Sequence, residues 1–247
     1  FFRQPENVGH TKNFETCLKR SRGKLIHLLH GDDYVRDNFY RKMQQAFEKR
    51  PEIGAAFCRQ IFMDEQGHWQ GISPLEQSES GILNNWLERI AVEQRIMTPS
   101  IVVRREVYEK LGGFDRRLIC SEDWEMWVRI AAHYPVWYEV EPLAVYRMHF
   151  ESNTGRHVRM GEDIKYTRIA IEIFKSHLPS DIANVISSKA RETYALSALD
   201  TAYSMLIKHD VTAATAQVRE ALKCSCSSRI IRQIVKLSLR FGTGWIK

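Results

Sequence analysis

Asp32 and Asp33 are two adjacent acids whose position could support chemistry. They follow an apolar run, residues 24–29, which is too short for a confident helix and is bounded by Gly23 and Gly31, so it predicts a buried strand. Carboxylates at the carboxyl end of a strand in an open α/β sheet lie where such sheets bind ligands. Because adjacent carboxylates repel each other unless a cation or donors neutralise them, the pair favours a divalent metal. A turn without a ligand is the alternative, since Gly-Asp-Asp is ordinary loop chemistry.

Glu122 and Asp123 form a second pair of adjacent acids, at the start of a stretch that predicts a helix to about His133. Carboxylates in a first helical turn accept hydrogen bonds from free N–H groups and interact favourably with the helix dipole. This structural role by itself explains the pair, so a chemical role needs further support.

The segments around these acids alternate between strand and helix patterns up to about residue 150. Periodicity and turn signals predict strands at residues 24–29, 53–63, 68–72, 101–103, 136–140 and 143–147. Helices are predicted at 13–22, 37–49, 82–90, 106–111 and 122–133, then at 164–177, 182–208, 212–223 and 229–240. We therefore predict an α/β domain over residues 1–155, with a mixed sheet flanked by helices, and an α-helical C-terminal region over 156–247.

The bulk composition restricts the class of protein. A chain of 247 residues can bury a full core and can hold more than one domain. No run approaches the roughly 20 apolar residues of a membrane span, and the first residues lack a secretory signal. The five cysteines are scattered and odd in number, which favours reduced thiols and a cytoplasmic location over a disulfide framework.

The positive charge is concentrated in the later part of the chain. Residues 1–150 hold 21 basic and 21 acidic side chains, whereas residues 151–247 hold 15 basic and 9 acidic ones. Because no basic stripe crosses the first 150 residues, we expect no nucleic-acid partner.

Residues 229–241 form an amphipathic, basic segment that Trp245 and Ile246 follow. Peripheral contact with an anionic membrane surface is one explanation of this pattern. Packing of the segment against the other helices is the alternative, and the pattern favours neither.

Four motifs carry a family resemblance when they are taken together and in order. They are Asn7-x-Gly9 with Asn13, His30-Gly31-Asp32-Asp33, Gly112-Gly113-Phe114-Asp115 followed by Ser121-Glu122-Asp123-Trp124-Glu125, and Tyr146-Arg147-Met148-His149. Over residues 4–150 the chain resembles family-2 glycosyltransferases of the GT-A fold, which is a Rossmann-like fold.

The resemblance implies a role for each matching residue. Asp32 and Asp33 would hold Mg²⁺ or Mn²⁺ and the pyrophosphate of a nucleotide-diphosphate sugar, with His149 as a third metal ligand. Asp123, paired with Glu122, would deprotonate the acceptor hydroxyl. Further donor-binding residues would be Asn7, Gly9, Asn13, His30 and Arg147.

The implied activity is an inverting, metal-dependent sugar transfer to a glycan or lipid-linked acceptor, in the synthesis of a surface polysaccharide. We expect a cytoplasmic protein, with peripheral contact at the inner face of the membrane as an option. Two features depart from the family pattern. His30 stands where an acid is usual, and the family's first strand and base-binding segment would precede Phe1, as in an N-terminally truncated domain.

A degenerate binding module and a nucleotidyltransferase are the alternative functions. A nucleotidyltransferase would need a Gly- and Lys/Arg-rich loop that the sequence does not show.

Overall fold

The structure is a computed structural model, which describes residues 2–148 and 153–242. The chain divides into two compact units. The first comprises the described residues up to 90 together with 94–148, and the second comprises 91–93 together with the described residues from 153 onward.

The first unit contains a seven-stranded mixed sheet. Its strands are β1 (Leu25–His27), β2 (Tyr34–Val35), β3 (Ala55–Met63), β4 (Trp69–Ile72), β5 (Gly81–Ile82), β6 (Ile101–Arg104) and β7 (Val136–Arg147). The order is β1-β6-β3-β7-β2, with β4 beside β3 and β5 beside β7. Strands β3 and β7 pair in parallel, and the other pairs are antiparallel. The predicted mixed sheet is therefore confirmed.

Five helices flank this sheet. They are α1 (His10–Arg20), α2 (Phe39–Lys49), α3 (Trp86–Val92), α4 (Arg105–Leu111) and α5 (Glu122–His133), and a 3₁₀ turn spans Thr98–Ser100. Helix α5 has the predicted bounds, whereas α1 begins three residues earlier than the predicted start at Asn13. The early start follows from Gly9, whose φ of 78° suits glycine and sets the chain direction before the first helical residue.

Strand β7 corrects one prediction, because Val136–Arg147 is continuous where two strands were expected. Its register against β3 shifts so that Cys58 lies opposite Glu139 and Arg59 lies opposite Pro142. A second shift places Gln60 opposite Ala144, so three residues of β7 have no partner on β3 in this irregularity. Proline has no N–H to give to the ladder, and a bulge tolerates this loss better than a regular strand does.

Strand β1 is shorter than the predicted run, and it pairs only with β6 at one end of the strand order. Ile26 is its buried residue, while Leu29 beyond it is 43% exposed. The chain therefore leaves the sheet at His27 and continues as a loop through the first acid pair.

The second unit is helical, as predicted. Its helices are α6 (Asn153–Met160), α7 (Glu162–Phe174), α8 (Ser180–Ile207), α9 (Val211–Cys224) and α10 (Ser228–Phe241), with a 3₁₀ turn at Lys175–His177. The sequence did not predict α6. Small buried side chains, among them Ala198, Ala202, Ala214 and Ala221, let α8 and α9 approach closely. None of the helices in the described ranges combines the length and the apolarity that crossing a membrane requires.

Candidate active site

The loop after β1 brings together three side chains that could hold a metal ion. One ligand atom from each of His30, Asp32 and Asp33 lies within 4.8 Å of the others. Asp33 is buried, and its Oδ2 lies 3.5 Å from Nδ1 of His30. Neither Oδ2 of Asp33 nor Nε2 of His30 has a hydrogen-bond partner among the described residues. A buried carboxylate oxygen without a donor is a site at which a cation would be stabilised.

Arg147, near the end of β7, fixes this loop. Its backbone N–H donates to Oδ1 of Asp33 at 2.9 Å, and its guanidinium donates to the carbonyl oxygen of Asp32 at 3.2 Å. The same guanidinium donates to the carbonyl oxygens of Asp64 and Glu65. Burial raises the pKa of Asp33, and the N–H of Arg147 and the nearby His30 oppose this shift. Arg147 therefore has a structural role here, and its predicted donor contact stays a prediction.

Asp123 lies in the first turn of α5 and is half-buried. Its Oδ2 accepts hydrogen bonds from the amide of Gln94 at 2.7 Å and the hydroxyl of Thr98 at 3.3 Å. Its Oδ1 accepts from the N–H of Trp124 at 2.7 Å. Burial, followed by the charge of Glu122, raises the pKa of Asp123 to about 7, against the effect of these three donors. A carboxyl group with such a pKa can accept and release a proton near neutral pH.

Glu122 is oriented by a histidine that the sequence did not single out. Its Oε1 lies 3.0 Å from Nε2 of His10, and its side chain is buried. The hydrogen bond to Glu122 raises the pKa of His10. The pair thus holds the N-terminus of α5 against the N-terminus of α1.

Helix α1 contacts both the second acid pair and the loop that carries the first one. His10 reaches Glu122, and Phe14, one turn later, stacks on His30 with ring centroids 5.3 Å apart and planes 7° from parallel. Residues at i and i+4 lie on one face of a helix. One face of α1 therefore lies beside both the loop after β1 and the start of α5.

The 3₁₀ turn at Thr98–Ser100 makes a second connection. The hydroxyl of Thr98 donates to Asp123, while the carbonyl oxygen of Pro99 lies 3.0 Å from Nε2 of His27 in β1. His27 also contacts the hydroxyl of Tyr40 through Nδ1 at 3.2 Å. Both ring nitrogens of His27 thus have partners within the fold.

A buried ion pair holds the beginning of α5 in place. Arg129 donates two hydrogen bonds, at 2.9 and 2.6 Å, to the carboxylate of Glu125, one turn earlier. It also donates to the carbonyl oxygens of Leu111 at 2.6 Å and Gly113 at 2.8 Å. The Gly112-Gly113 motif is thus fastened to the helix that carries Asp123.

The N-terminal loop residues have local contacts in the structure. The carboxamide oxygen of Asn7 accepts the N–H of Gly9 at 3.0 Å, which is an Asx turn leading into α1. Asn13 is exposed on α1, and its N–H donates to the carbonyl oxygen of Gly9. His149 lies outside the described residues. The predicted donor and metal roles of these four residues stay predictions.

His10, Phe14, Gln94 and Thr98 are the site residues that sequence reasoning missed. Gly9 offered a signal for the first two, because a helix that begins at residue 10 places them on one face. Gln94 and Thr98 had no local signal, since tertiary packing alone brings them to Asp123.

Two curated proteins show modest sequence similarity to this chain. The chain is 27% identical over 136 residues to an O-antigen biosynthesis protein, RfbC, of Myxococcus xanthus, covering 47% of this chain and 10% of that protein. It is 26% identical over 133 residues to an uncharacterized glycosyltransferase of Methanocaldococcus jannaschii, covering 54% of this chain and 44% of that protein. The chain thus spans less than half the length of each of these relatives.

Solved structures of similar fold cover nearly the whole chain. TarS of S. aureus matches with a TM-score of 0.59 at 12% identity, over 94% of this chain and 40% of TarS. Its fragment 1–349 matches with a TM-score of 0.57 at 12% identity, over 96% of this chain and 72% of the fragment. A mannosyltransferase of Pyrobaculum calidifontis, PcManGT, solved with GDP-Man and Mn²⁺, matches with a TM-score of 0.50 at 13% identity, over 96% of this chain and 61% of that one.

These matches confirm the predicted fold and support the predicted family. Residues 1–112 match the sequence model of glycosyl transferase family 2. This range contains the loop after β1 with His30, Asp32 and Asp33, and helix α1, which contacts His30 and Glu122. The protein therefore has the GT-A fold, and its residues 1–112 are similar in sequence to glycosyl transferase family 2.

Proposed function

We propose that this protein transfers a sugar from a nucleotide-diphosphate donor to a hydroxyl group of a glycan or lipid-linked acceptor, with inversion at the anomeric carbon. The observation that carries the proposal is that α1 contacts both clusters, the Glu122-Asp123 pair through His10 at Glu122 and the His30, Asp32 and Asp33 group through Phe14 at His30. The similarity to an O-antigen biosynthesis protein supports a role in surface polysaccharide synthesis. The GDP-Man and Mn²⁺ bound to the mannosyltransferase of similar fold support the donor class and a divalent metal.

The residues of the loop after β1 fit a divalent cation. They offer one imidazole nitrogen and two carboxylates within 4.8 Å, and one carboxylate oxygen of Asp33 is buried without a donor. His30, Asp32 and Asp33 would therefore hold Mg²⁺ or Mn²⁺, with His149 as a further predicted ligand. Such an ion, when bound, neutralises charge on a diphosphate leaving group.

Asp123 is the proposed general base. Its pKa of about 7 suits proton transfer near neutral pH, and Gln94 and Thr98 fix the orientation of its carboxyl group. It takes the proton of the acceptor hydroxyl, whose oxygen attacks the anomeric carbon as the nucleoside diphosphate departs from the opposite face. This single displacement inverts the configuration, as in inverting glycosidases, in which a carboxylate also activates the nucleophile. Glu122 contributes the negative charge that helps to raise the pKa of Asp123.

Nucleotide binding tests the proposal. We expect UDP or GDP, titrated calorimetrically, to bind in the presence of Mn²⁺ and to bind much more weakly without it. Asp33→Asn should weaken the Mn²⁺-dependent binding by at least tenfold, because it removes a charged ligand. Asp37→Asn, at an exposed acid outside the cluster, should leave binding unchanged and serves as the control. Binding that ignores both Mn²⁺ and Asp33→Asn would contradict the enzyme proposal and favour a binding module of degenerate glycosyltransferase fold.

A further inference from the structure

Helix α10 (Ser228–Phe241) presents three different stripes along its length. Each residue of an α-helix advances by about 100° around the axis, so residues four apart lie almost in line. The first stripe packs into the helical unit: Ile230 and Leu237 are buried there, with Ile234 and Phe241 partly buried beside them. This stripe explains how the helix is attached, but it leaves the other two unexplained.

The second stripe is apolar and faces solvent. Ile231, Val235 and Leu239 follow one another at intervals of four residues and are 44%, 51% and 81% exposed. A helix that only covers a protein core keeps its large apolar side chains on one side. Here they lie on two sides, and the outer one remains open.

The third stripe is cationic and lies next to the exposed apolar one. It consists of the exposed side chains of Arg229, Arg232, Lys236 and Arg240. No acid follows Glu220 in the sequence, so α10 itself carries no negative side chain. The apolar and cationic stripes together occupy the surface that the core does not use.

A groove between α8 and α10 extends the cationic stripe. It has a volume of about 210 Å³, and its lining includes Lys236, Arg240, Tyr203 and Asp200. The guanidinium carbon of Arg240 lies 4.9 Å from the centre of the Tyr203 ring. Of the acids on α8, Asp200 thus faces the groove, and Glu192 accepts a hydrogen bond from the hydroxyl of Ser227 at the start of α10.

We propose that the outer face of α10 docks on an anionic lipid surface. The stripe of Ile231, Val235 and Leu239 would enter the boundary between headgroups and acyl chains, and the adjacent cations would contact the phosphate groups. The charge on this face selects the partner: a neutral apolar partner would need no arginine or lysine, whereas an anionic bilayer uses both stripes at once. The inference does not depend on sugar transfer, because binding is measured without donor or acceptor.

Vesicle co-sedimentation of the full chain tests the docking surface. We expect binding to phosphatidylcholine vesicles that contain about one-third phosphatidylglycerol, and much weaker binding to phosphatidylcholine alone. Leu239→Glu should reduce partitioning at least tenfold, whereas Val185→Glu, at an exposed apolar position of α8, should not. Each cation contributes about fivefold to partitioning, so Arg232→Gln combined with Lys236→Gln should reduce partitioning about 25-fold. Lys189→Gln on α8 should leave partitioning unchanged.

Three outcomes would overturn the proposal. Equal binding to neutral and anionic vesicles would remove the role of the cations. Equal losses in the α8 controls would show that the effect is not specific to α10. Failure of the wild-type chain to bind either vesicle, with a dimer in light scattering that Leu239→Glu dissociates, would assign the face to a second copy of the chain. Circular dichroism of each variant separates loss of binding from loss of helix.

Discussion

Replacing Asp123 by asparagine separates the electrostatic cost of this carboxyl group from its proposed use as a base. The amide keeps the shape of the side chain but cannot take up a proton. Three donors converge on the carboxylate, from Trp124 and Gln94 at 2.7 Å and from Thr98 at 3.3 Å. Asparagine retains one acceptor oxygen for them, so some hydrogen bonding is lost while the partly desolvated charge is removed.

The stability effect follows from the pKa of about 7 that burial and Glu122 give to Asp123. An aspartate in the unfolded chain ionises near pH 4, so between about pH 4 and pH 7 the native state binds the extra proton and the stability of the wild type falls as pH rises. A difference of about three pH units corresponds to roughly 4 kcal/mol, and one imperfect hydrogen bond costs about 1 kcal/mol. Asp123→Asn should therefore stabilise the fold by about 2 to 3 kcal/mol at pH 8, and this gain should vanish at about pH 4 to 5.

Activity should move in the opposite direction. Loss of a general base lowers kcat by roughly 10² to 10⁴-fold. In the wild type, turnover should rise with pH through about 7, as Asp123 loses its proton and becomes able to accept one. The variant should lose this limb of the pH profile together with the rate.

Turnover is measured as release of nucleoside diphosphate from UDP-glucose and from GDP-mannose. Stability is measured by urea unfolding at pH 5 and at pH 8. Asp163→Asn is the matched control, because burial raises the pKa of this aspartate of the helical unit to about 6. It should change stability with pH in the same sense and leave turnover intact. Full turnover in Asp123→Asn, or a loss of both turnover and stability at pH 8, would refute the assignment.

Two further substitutions test the metal cluster and the packing around the sheet. His30→Asp replaces a nitrogen ligand of the cluster by an oxygen ligand, so the ratio of Mg²⁺ to Mn²⁺ affinity in nucleotide titrations should rise by about tenfold. An unchanged ratio would show that His30 is no ligand. Gly54→Ala should destabilise the fold by about 1 to 3 kcal/mol in urea unfolding, because a new Cβ would lie 2.5 Å from Cβ of Tyr134. Gly71→Ala, where a Cβ meets no atom within 4 Å, should change stability by less than about 0.5 kcal/mol, and equal effects at both glycines would contradict the packing argument.

The sequence by itself determined much of the local structure and indicated the family. Helix α5 begins at Glu122 and ends at His133 as predicted, because its periodicity and its acidic first turn are signals within a dozen residues. The Asp32-Asp33 pair after a short apolar run predicted the candidate metal cluster, and the order of four motifs indicated the family that residues 1–112 match. These features share a physical basis: each depends on residues that are close in sequence.

Only the tertiary structure decided which side chains surround the acids. His10 meets Glu122, Thr98 meets Asp123 and Arg147 meets Asp33 across 25 to 114 residues of chain. The continuity of β7 through Pro142 was also decided at this level, because pairing with β3 absorbs the irregularity. Such contacts arise when helices pack on a mixed sheet. Their stability depends on several helices and strands at once, whereas a sequence pattern describes one helix or strand at a time.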